Sequence, residues 1–369
     1  MNNRQRFQAA MKFQPVDRPC HVEHGFWKET YQRWQREGLP SNVAYPELFF
    51  RSPANDLFGY FDIAKFAYIQ AEQYFLPAFS EYTLEETERY RIYRNGRGVI
   101  LKEMKENVSM PHFLDYPIKD RADYLDLRQR LLGSPEQRFP ADWEASAAYF
   151  RRQECEIVGV HMEGFFGYPR ELMGLERLLL TFYDDPELIH QIISDHLHAI
   201  LELYPRAIEA ARPDFAFIWE DMSYKNGPLI SPAMFRRFLL PAYQELTAFL
   251  KRMGIRVILV DSDGNLERLI PLWLEGGVTG LLPFEVRAGM DVSSVRNRYP
   301  SLQIIGGIEK HRLEGDQADI DLELERVLPF MQTAGGYAAS LDHWVHDQIS
   351  LENFTYYVDK VHTFRKDSR

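Results

Sequence analysis

The sequence predicts an α/β fold, a (β/α)8 TIM barrel that carries an inserted excursion after its second strand. Eight short runs of β-branched and other apolar residues recur along the 369 residues. Stretches with helix start and stop signals separate them. The runs are almost continuously apolar, as are strands that are buried on both faces of a parallel sheet. We therefore expect one barrel domain over residues 1–369, with residues 75–150 packing on the barrel as the excursion.

The candidate strands alternate with helical stretches in chain order. They are residues 20–26 (CHVEHGF), 62–69 (DIAKFAYI), 156–162 (EIVGVHM), 214–220 (DFAFIWE), 255–261 (IRVILVD), 278–285 (VTGLLPFE), 302–309 (LQIIGGIE) and 337–343 (YAASLDH). The second run is the least regular of them. Inside the excursion, the segment RIYRNGRGVILKEM predicts a hairpin that turns at Asn95 and Gly96.

Residues that favour helix ends mark the connections. An Asp precedes Pro186, and Ser231 precedes a Pro, which is the pattern of a capping side chain followed by Pro in the first turn. Gly254 marks a helix stop, and Ser350 is a candidate cap for the last helix. Eight strands linked by such helices are typical of a closed parallel barrel, whose active site lies at the carboxyl ends of the strands.

Composition excludes several classes of partner. The formal net charge is -11 and no cluster of Lys and Arg stands out, so we expect a small-molecule substrate and no nucleic acid or anionic membrane. No apolar run reaches the roughly 18 residues of a membrane span, and no secretory signal is visible, so we expect a cytoplasmic protein. Only Cys20 and Cys155 are present, so any metal needs oxygen and nitrogen ligands. The oligomeric state stays open.

Ionisable residues follow nearly every predicted strand. They are His24, Glu163, Glu220, Asp221, Asp261, Asp263, Glu285, Glu309, Lys310, Asp342 and His343. A single polar residue at such a place often marks only the point where the chain reaches the surface, and Asp-Gly is usually a turn. As a set, five or more carboxylates on one face repel one another unless a cation, a protonated substrate or shared protons offset the charge. The set therefore predicts a substrate or metal pocket.

Several segments resemble one protein family. They are PVDRP (15–19), IWEDMSYKNGPLISPAMFRRFLLPAY (218–243), ILVDSDGNLERL (258–269), LLPFEV (281–286), IIGGIEK (304–310) and LDHWVHDQISLENF (341–354). They resemble the uroporphyrinogen decarboxylase superfamily, which also contains corrinoid-linked methyltransferases and is related to cobalamin-independent methionine synthase. The resemblance covers most of the chain and is strongest from about Phe215 onward. It implies a (β/α)8 barrel.

The resemblance to the decarboxylases covers part of their machinery. His343 resembles the decarboxylase His of the last strand, and Asp263-Gly264 resembles the Asp-Gly after the fifth strand. In decarboxylases an Arg-rich motif follows the PVDRP-like segment and holds substrate carboxylates, whereas here no Arg follows it before Arg33. The position that matches their catalytic Asp is Ile69. These departures imply that any decarboxylase activity acts on a different substrate.

The methyltransferase branch places His-x-Cys at Asp261 and Asp263, a Glu at Glu285 and a Cys near His343. Those family ligands hold zinc, which generates a thiolate nucleophile. Here the sulfur ligands are absent, but carboxylates and imidazole bind harder divalent cations such as Zn, Mn or Fe. These four residues are the predicted catalytic set and metal ligands. The predicted substrate contacts are His24, Glu163, Glu220, Asp221, Lys310 and Asp342.

The sequence leaves three functions open. The first is a methyltransferase of one-carbon metabolism that moves a methyl group between a small donor and a corrinoid, folate or thiol carrier, with a corrinoid protein as a partner. The second is a decarboxylase of the porphyrin-pathway type, in which Asp263 or His343 protonates the carbanion-equivalent centre. The third is a barrel that binds a ligand without activity. The density of ionisable residues at one rim favours an enzyme.

Overall fold

A parallel sheet is the framework of the molecule. The computed structural model describes residues 1–46, 55–105, 110–152 and 156–364. The strands are β1 (Phe66–Ile69), β2 (Tyr82–Glu86), β3 (Tyr90–Arg94), β4 (Ile100–Met104), β5 (His112–Asp115), β6 (Ile157–Glu163), β7 (Phe215–Trp219), β8 (Ser223–Tyr224), β9 (Gly227–Pro228), β10 (Val257–Asp261), β11 (Gly280–Leu282), β12 (Gln303–Ile305) and β13 (Tyr337–Ala338). Seven of them pair in parallel in the order β1-β6-β7-β10-β11-β12-β13. The predicted α/β class is confirmed.

Helices connect the parallel strands. They are α1 (Asn3–Met11), α2 (Lys28–Arg36), α3 (Leu57–Tyr60), α4 (Arg121–Leu132), α5 (Trp143–Arg152), α6 (Gly167–Met173), α7 (Leu175–Asp184), α8 (Pro186–Ala211), α9 (Pro232–Met234), α10 (Leu240–Arg252), α11 (Ile270–Glu275), α12 (Val292–Arg298), α13 (Gln317–Ala334) and α14 (Leu351–Thr363). Short 3-10 helices span Pro135–Arg138, Val286–Ala288 and Lys310–Glu314, and Phe235–Leu239 is a π-helical turn. Helices of the described residues are too short or too polar for a bilayer span.

The predicted caps hold the helix starts. Asp185 accepts a hydrogen bond from the backbone N–H of Leu188, and Pro186 is the first residue of α8. Ser231 and Ser350 likewise accept bonds from backbone N–H groups in the first turns of α9 and α14. Each cap satisfies a donor that the helix itself leaves free. Local sequence therefore fixes where these helices begin.

Side chains of the parallel strands alternate between two cores. On β10, Val257 and Leu259 pack inside the sheet with Phe217 of β7. Ile258 and Val260 face the other way and pack in the larger core that contains the helices. Because successive side chains of a strand point to opposite faces, the next inward position after Leu259 is residue 261. The strand thus delivers an acidic side chain to the inner face at its carboxyl end.

Residues 20–22 contact both edges of the sheet. The N–H of Val22 donates to the carbonyl of Ala339, beyond β13, and the N–H of Ala64, before β1, donates to the carbonyl of His21. These contacts are isolated bridges, so the predicted first strand at 20–26 is not a continuous strand in the structure. His21 bridges to Ala339 near one edge of the sheet, and Val22 bridges to Ala64 near the other edge. Neither contact extends into a continuous ladder of strand hydrogen bonds. The sheet is therefore curled, with its two edges facing one short segment.

The region between β1 and β6 forms a separate antiparallel sheet of β2, β3, β4 and β5. The β3 and β4 strands pair as a hairpin, in which Arg94 lies opposite Ile100. The side chain of Asn95 accepts hydrogen bonds from two backbone N–H groups in the turn, Arg97 and Val99. An Asn at the turn stabilises the hairpin through such local bonds.

Candidate active site at the carboxyl ends of the strands

Three predicted side chains meet beyond the carboxyl ends of β10, β11 and β13. Asp263, Glu285 and His343 each place one ligand atom within 4.8 Å of the other two. The imidazole Nε2 of His343 lies 3.4 Å from Oδ2 of Asp263. Glu285 accepts a hydrogen bond of 2.7 Å from the backbone N–H of Gly264, which orients its carboxylate toward the loop of Asp263. Two carboxylates and one imidazole thus share a small space.

The loop that carries Asp263 is held by its backbone. Gly264 has φ +81°, and a Cβ atom there would lie 2.7 Å from the carbonyl of Tyr224. The same carbonyl accepts the N–H of Asn265 at 2.9 Å. Only glycine permits both this conformation and this close approach. The Asp263-Gly264 pair is therefore both a turn and a means of positioning an acidic side chain at the site.

Asp261 lies at the inner end of β10 and outside the group of three. Its side chain is half-buried. Burial raises its pKa well above the ordinary value, and the charges of Asp263, Asp221 and Glu285 also raise it. Its neighbour inside the sheet is Tyr68, whose own pKa is raised by burial and by the charge of Asp261. A carboxyl group in this environment gives up its proton less readily than an ordinary Asp.

The pKa values of Asp263 and Glu285 are shifted in opposite directions. Burial alone would raise the pKa of Asp263, but a hydrogen bond from His343 and the positive charges around it, including Lys310, bring the pKa below the ordinary value. Burial raises the pKa of Glu285, Asp263 raises it further, and the bond from Gly264 offsets part of this effect. Asp263 is therefore the carboxylate that stays ionised, and Glu285 binds a proton more readily.

His24 and Lys310 border this cluster. The Nε2 atom of His24 is buried and has no hydrogen-bond partner among the described residues. Burial, together with the nearby His343, lowers the pKa of His24 to about 3, so the ring is neutral. Burial also lowers the pKa of Lys310, while Asp342, Glu285 and Asp263 oppose that shift. A neutral imidazole and an ammonium group are thus available to a bound molecule.

Asp221 is anchored by a residue that the sequence analysis did not identify. Arg170 of α6 donates to Oδ2 of Asp221 at 2.5 Å and to its backbone carbonyl at 2.6 Å. Asp221 has a positive φ of 45°, which is uncommon for a residue with a side chain. Burial raises its pKa, Arg170 lowers it, and Asp263 raises it. The Arg170–Asp221 pair thus lies close enough to Asp263 for the two carboxylates to influence one another.

Residues 103–364 match the family model of uroporphyrinogen decarboxylase (URO-D). The protein belongs to the URO-D family. It is 26% identical over 269 residues to a uroporphyrinogen decarboxylase of Syntrophotalea carbinolica, which spans 68% of this chain and 71% of that relative. Among solved structures, a methyltransferase from Methanosarcina mazei superposes with a TM-score of 0.62 at 15% identity, covering 98% of each chain. At that identity the likeness shows a shared fold.

The URO-D match contains the acidic corner but not the N-terminal segment. Asp263, Glu285 and His343 all lie within it, whereas PVDRP at 15–19 lies outside. Ile69, at the position matched to the catalytic Asp of the decarboxylases, is fully buried in the core that faces the helices. A side chain at this position points away from the inner face, so an acid there would not reach the corner.

Glu220 was predicted to contact substrate, but the structure places it in the scaffold of this URO-D family fold. Its carboxylate accepts backbone N–H groups of Phe165 at 2.9 Å, and of Phe166 and Gly167 at 2.7 Å. It also accepts the hydroxyl of Tyr243. The side chain is completely buried on the helix side of β7, so it stabilises the start of α6 instead of facing the cavity.

Asp342 also serves the scaffold, although it precedes His343. One oxygen accepts the N–H of Val286 and the other accepts the N–H of Lys310, both at 3.0 Å. The carboxylate thereby links the loops that carry Glu285 and Lys310. Both oxygens accept a backbone N–H and the side chain is only 3% exposed, so its observed contacts are with the scaffold, and a direct substrate contact of Asp342 stays a prediction.

Glu163 ends β6 under the antiparallel sheet. Its Oε2 atom is buried and makes no hydrogen bond among the described residues. Burial raises its pKa to about 8, Arg97 lowers it and Glu171 raises it. Arg97 comes from the β3–β4 hairpin, pairs with Glu171 at 3.1 Å and stacks over the ring of Tyr74. Sequence reasoning missed Arg97, because only the folded excursion brings it to the end of a parallel strand.

Proposed function

We propose that this protein is a methyltransferase of one-carbon metabolism, in which Asp263, Glu285 and His343 hold a divalent cation. The methyl group moves between a small methylated donor and a corrinoid, folate or thiol carrier. The observation that carries the proposal is the convergence of three metal-ligating groups, all within 4.8 Å, from three different strand ends. We also infer that the curled sheet is a complete (β/α)8 barrel, with residues 20–26 as its first strand and residues 75–150 as an excursion.

The donor set fits a metal of intermediate hardness. Two carboxylates and one imidazole are ligands for Zn, Mn or Fe, and sulfur is not required for any of them. Glu285 uses Oε2 to accept the Gly264 N–H, which leaves its other oxygen free for a cation. The unpaired Nε2 atom of buried His24 lies at the same corner and can contact a bound molecule. A bound cation would supply Lewis acidity to the leaving atom of the donor.

A residue of the protein supplies the proton that the leaving group needs. Burial and the carboxylates around it raise the pKa of Asp261, which makes it the proton donor of the site. When the bond between the methyl carbon and the donor heteroatom breaks, its electron pair stays on the heteroatom, and Asp261 gives that atom a proton. The nucleophile of the carrier supplies the electron pair of the new bond to carbon. Solvent then returns a proton to Asp261.

Lys310 makes this corner suitable for an anionic group, whereas Arg170 does not. Arg170 is paired with Asp221, so its charge is largely offset. No carboxylate of the described residues lies within salt-bridge distance of the Lys310 ammonium group, although Asp342, Glu285 and Asp263 influence it. We therefore expect Lys310 to contact an acidic substituent of the donor or carrier.

A decarboxylase is the second candidate function. The Asp263–His343 contact of 3.4 Å forms an acid–base pair that can protonate a carbanion-equivalent centre. The curated relative is named as a uroporphyrinogen decarboxylase. Against a polycarboxylate substrate stands the absence of an Arg between Pro19 and Arg33, since a row of carboxylates needs fixed cations.

One experiment separates the two candidates. Protein purified without chelator is analysed for bound metals, and it is then assayed with methyl ethers, methylamines and methyl thioethers in the presence of cob(I)alamin. Methylcobalamin formation is followed by absorbance, and uroporphyrinogen is offered in parallel. We expect methyl transfer that Asp263→Asn abolishes and that the exposed control Asp359→Asn preserves. Carbon dioxide release from uroporphyrinogen, without methyl transfer from any donor, would support the second candidate instead.

A further inference from the structure

A second group of metal-ligating side chains lies beside the candidate active site and takes no part in it. His311 and Glu314 belong to the 3-10 helix Lys310–Glu314, and His346 follows β13. One ligand atom of each lies within 4.8 Å of the other two. His311 Nδ1 donates a hydrogen bond to Glu314 Oε1, and His346 Nε2 lies 3.3 Å from that same oxygen.

The backbone holds these three side chains in place. In a 3-10 helix, residues three apart lie on one face, so His311 and Glu314 point the same way. Leu313 between them is fully buried in the main core. Val345, next to His346, is also fully buried, and its carbonyl accepts a hydrogen bond from the hydroxyl of Thr30. The ligand atoms are therefore carried by anchored segments.

One ring nitrogen of His346 is left without a hydrogen-bond partner inside this group. Its Nε2 atom is buried and lacks a hydrogen-bond partner among the described residues, because the approach to Glu314 does not have the geometry of a hydrogen bond. Its Nδ1 atom accepts a long bond of 3.3 Å from the N–H of Gln348. A buried nitrogen without a partner is costly, and a ligand at Nε2 would remove that cost.

We propose that His311, Glu314 and His346 form a second metal site that binds a transition-metal dication such as Zn2+. Two imidazoles and one carboxylate are a common donor set for such ions, with water completing the coordination. Ligand atoms roughly 2.0 to 2.1 Å from a tetrahedral zinc lie about 3.3 Å apart. The observed 3.3 Å between His346 Nε2 and Glu314 Oε1 has this value. His311 Nδ1 is hydrogen-bonded to the same oxygen, so it must move away from that oxygen when a cation replaces the proton between them.

Two features set the strength of the site. Binding through Nε2 moves the ring proton of His346 to Nδ1, so the long contact with Gln348 is lost. Lys310 stands next to His311 in the chain, and its positive charge opposes a cation here as well as at Asp263. The second site does not depend on the proposed methyl transfer, since none of its ligands belongs to the first group. It joins the loops that follow β12 and β13.

Titration with Co2+ alone tests the site, because its absorption spectrum reports nitrogen and oxygen ligation directly. Glu314→Gln and His311→Ala remove one ligand each, and Glu209→Gln at an exposed position of α8 is the matched control. We expect each ligand variant to bind one equivalent of Co2+ fewer than wild type and to lose one spectral component, with unchanged circular dichroism. Asp263→Asn must leave that component in place, which separates this site from the proposed active site. Equal stoichiometry and equal spectra for wild type and both ligand variants would overturn the inference.

Discussion

Replacing Glu163 with Gln should change how stability depends on pH. Burial raises the pKa of Glu163 from 4.5 to about 8, with Arg97 and Glu171 acting in opposite directions. A carboxyl whose pKa is raised by folding contributes stability that is complete below pH 4.5 and is lost as the pH rises to about 8. At roughly 1.4 kcal/mol for each unit of pKa, the loss amounts to about 3–5 kcal/mol. The neutral Gln side chain cannot ionise and escapes this loss.

Urea denaturation followed by circular dichroism between pH 4.5 and pH 8.5 measures the effect. The free energy of unfolding of wild type minus that of Glu163→Gln should fall across this range. The difference between wild type and the control Glu209→Gln, at an exposed position, should stay flat. Using the difference between proteins removes the effect of Glu23, a second buried carboxyl whose pKa burial raises to about 8. If the difference for Glu163→Gln does not change with pH, the Glu163 carboxyl is ionised in the folded protein. The positive charge of Arg97 would then be the most direct cause.

Three further changes test the corner and its support. Asp342→Asn leaves one buried backbone N–H, such as that of Val286, without an acceptor. The free energy of unfolding in urea should therefore be about 1–3 kcal/mol lower than that of the control Asp359→Asn. An equal value for both variants would contradict this. Asp263→Ala should abolish turnover with an unchanged circular dichroism spectrum, and retained activity would make the corner structural. Uroporphyrinogen should not be decarboxylated at ordinary enzyme rates, because no Arg lies between Pro19 and Arg33 to hold its carboxylates. Fixed polar groups of this kind contribute about 10²–10³ in rate. Chromatography of the products tests this, and turnover at ordinary rates would contradict it.

The alternation of apolar runs and helix signals was enough to predict the α/β fold, and it failed where pairing is not local. The runs at 156–162 and 255–261 appear as β6 and β10 within one or two residues. The run at 20–26 has the same apolar pattern, yet it makes only isolated bridges. Its partners lie before β1 and after β13, so its length as a strand depends on how far the sheet curls, which no local pattern encodes.

The same reasoning explains which site residues could be predicted. Asp261, Asp263 and Glu285 were found because a polar residue after a buried strand is visible in the sequence. Glu220 satisfies the same rule and has a different role, since its side chain points to the helices and accepts three backbone N–H groups and the Tyr243 hydroxyl. Whether a residue just past the strand end turns inward or outward depends on the loop that follows, and the sequence does not specify that direction.

The two acids of the Asp-x-Asp motif differ in their surroundings, and this difference gives them different chemistry. Asp261 ends its strand on the inner face beside Tyr68, where burial and neighbouring carboxylates raise its pKa. Asp263, two residues later, lies 3.4 Å from His343 and is stabilised as the carboxylate. Two carboxyl groups whose environments move their pKa values in opposite directions can act as a proton donor and an anionic ligand in one cavity. A strand end followed by an Asp-Gly turn therefore places both roles within three residues of the chain.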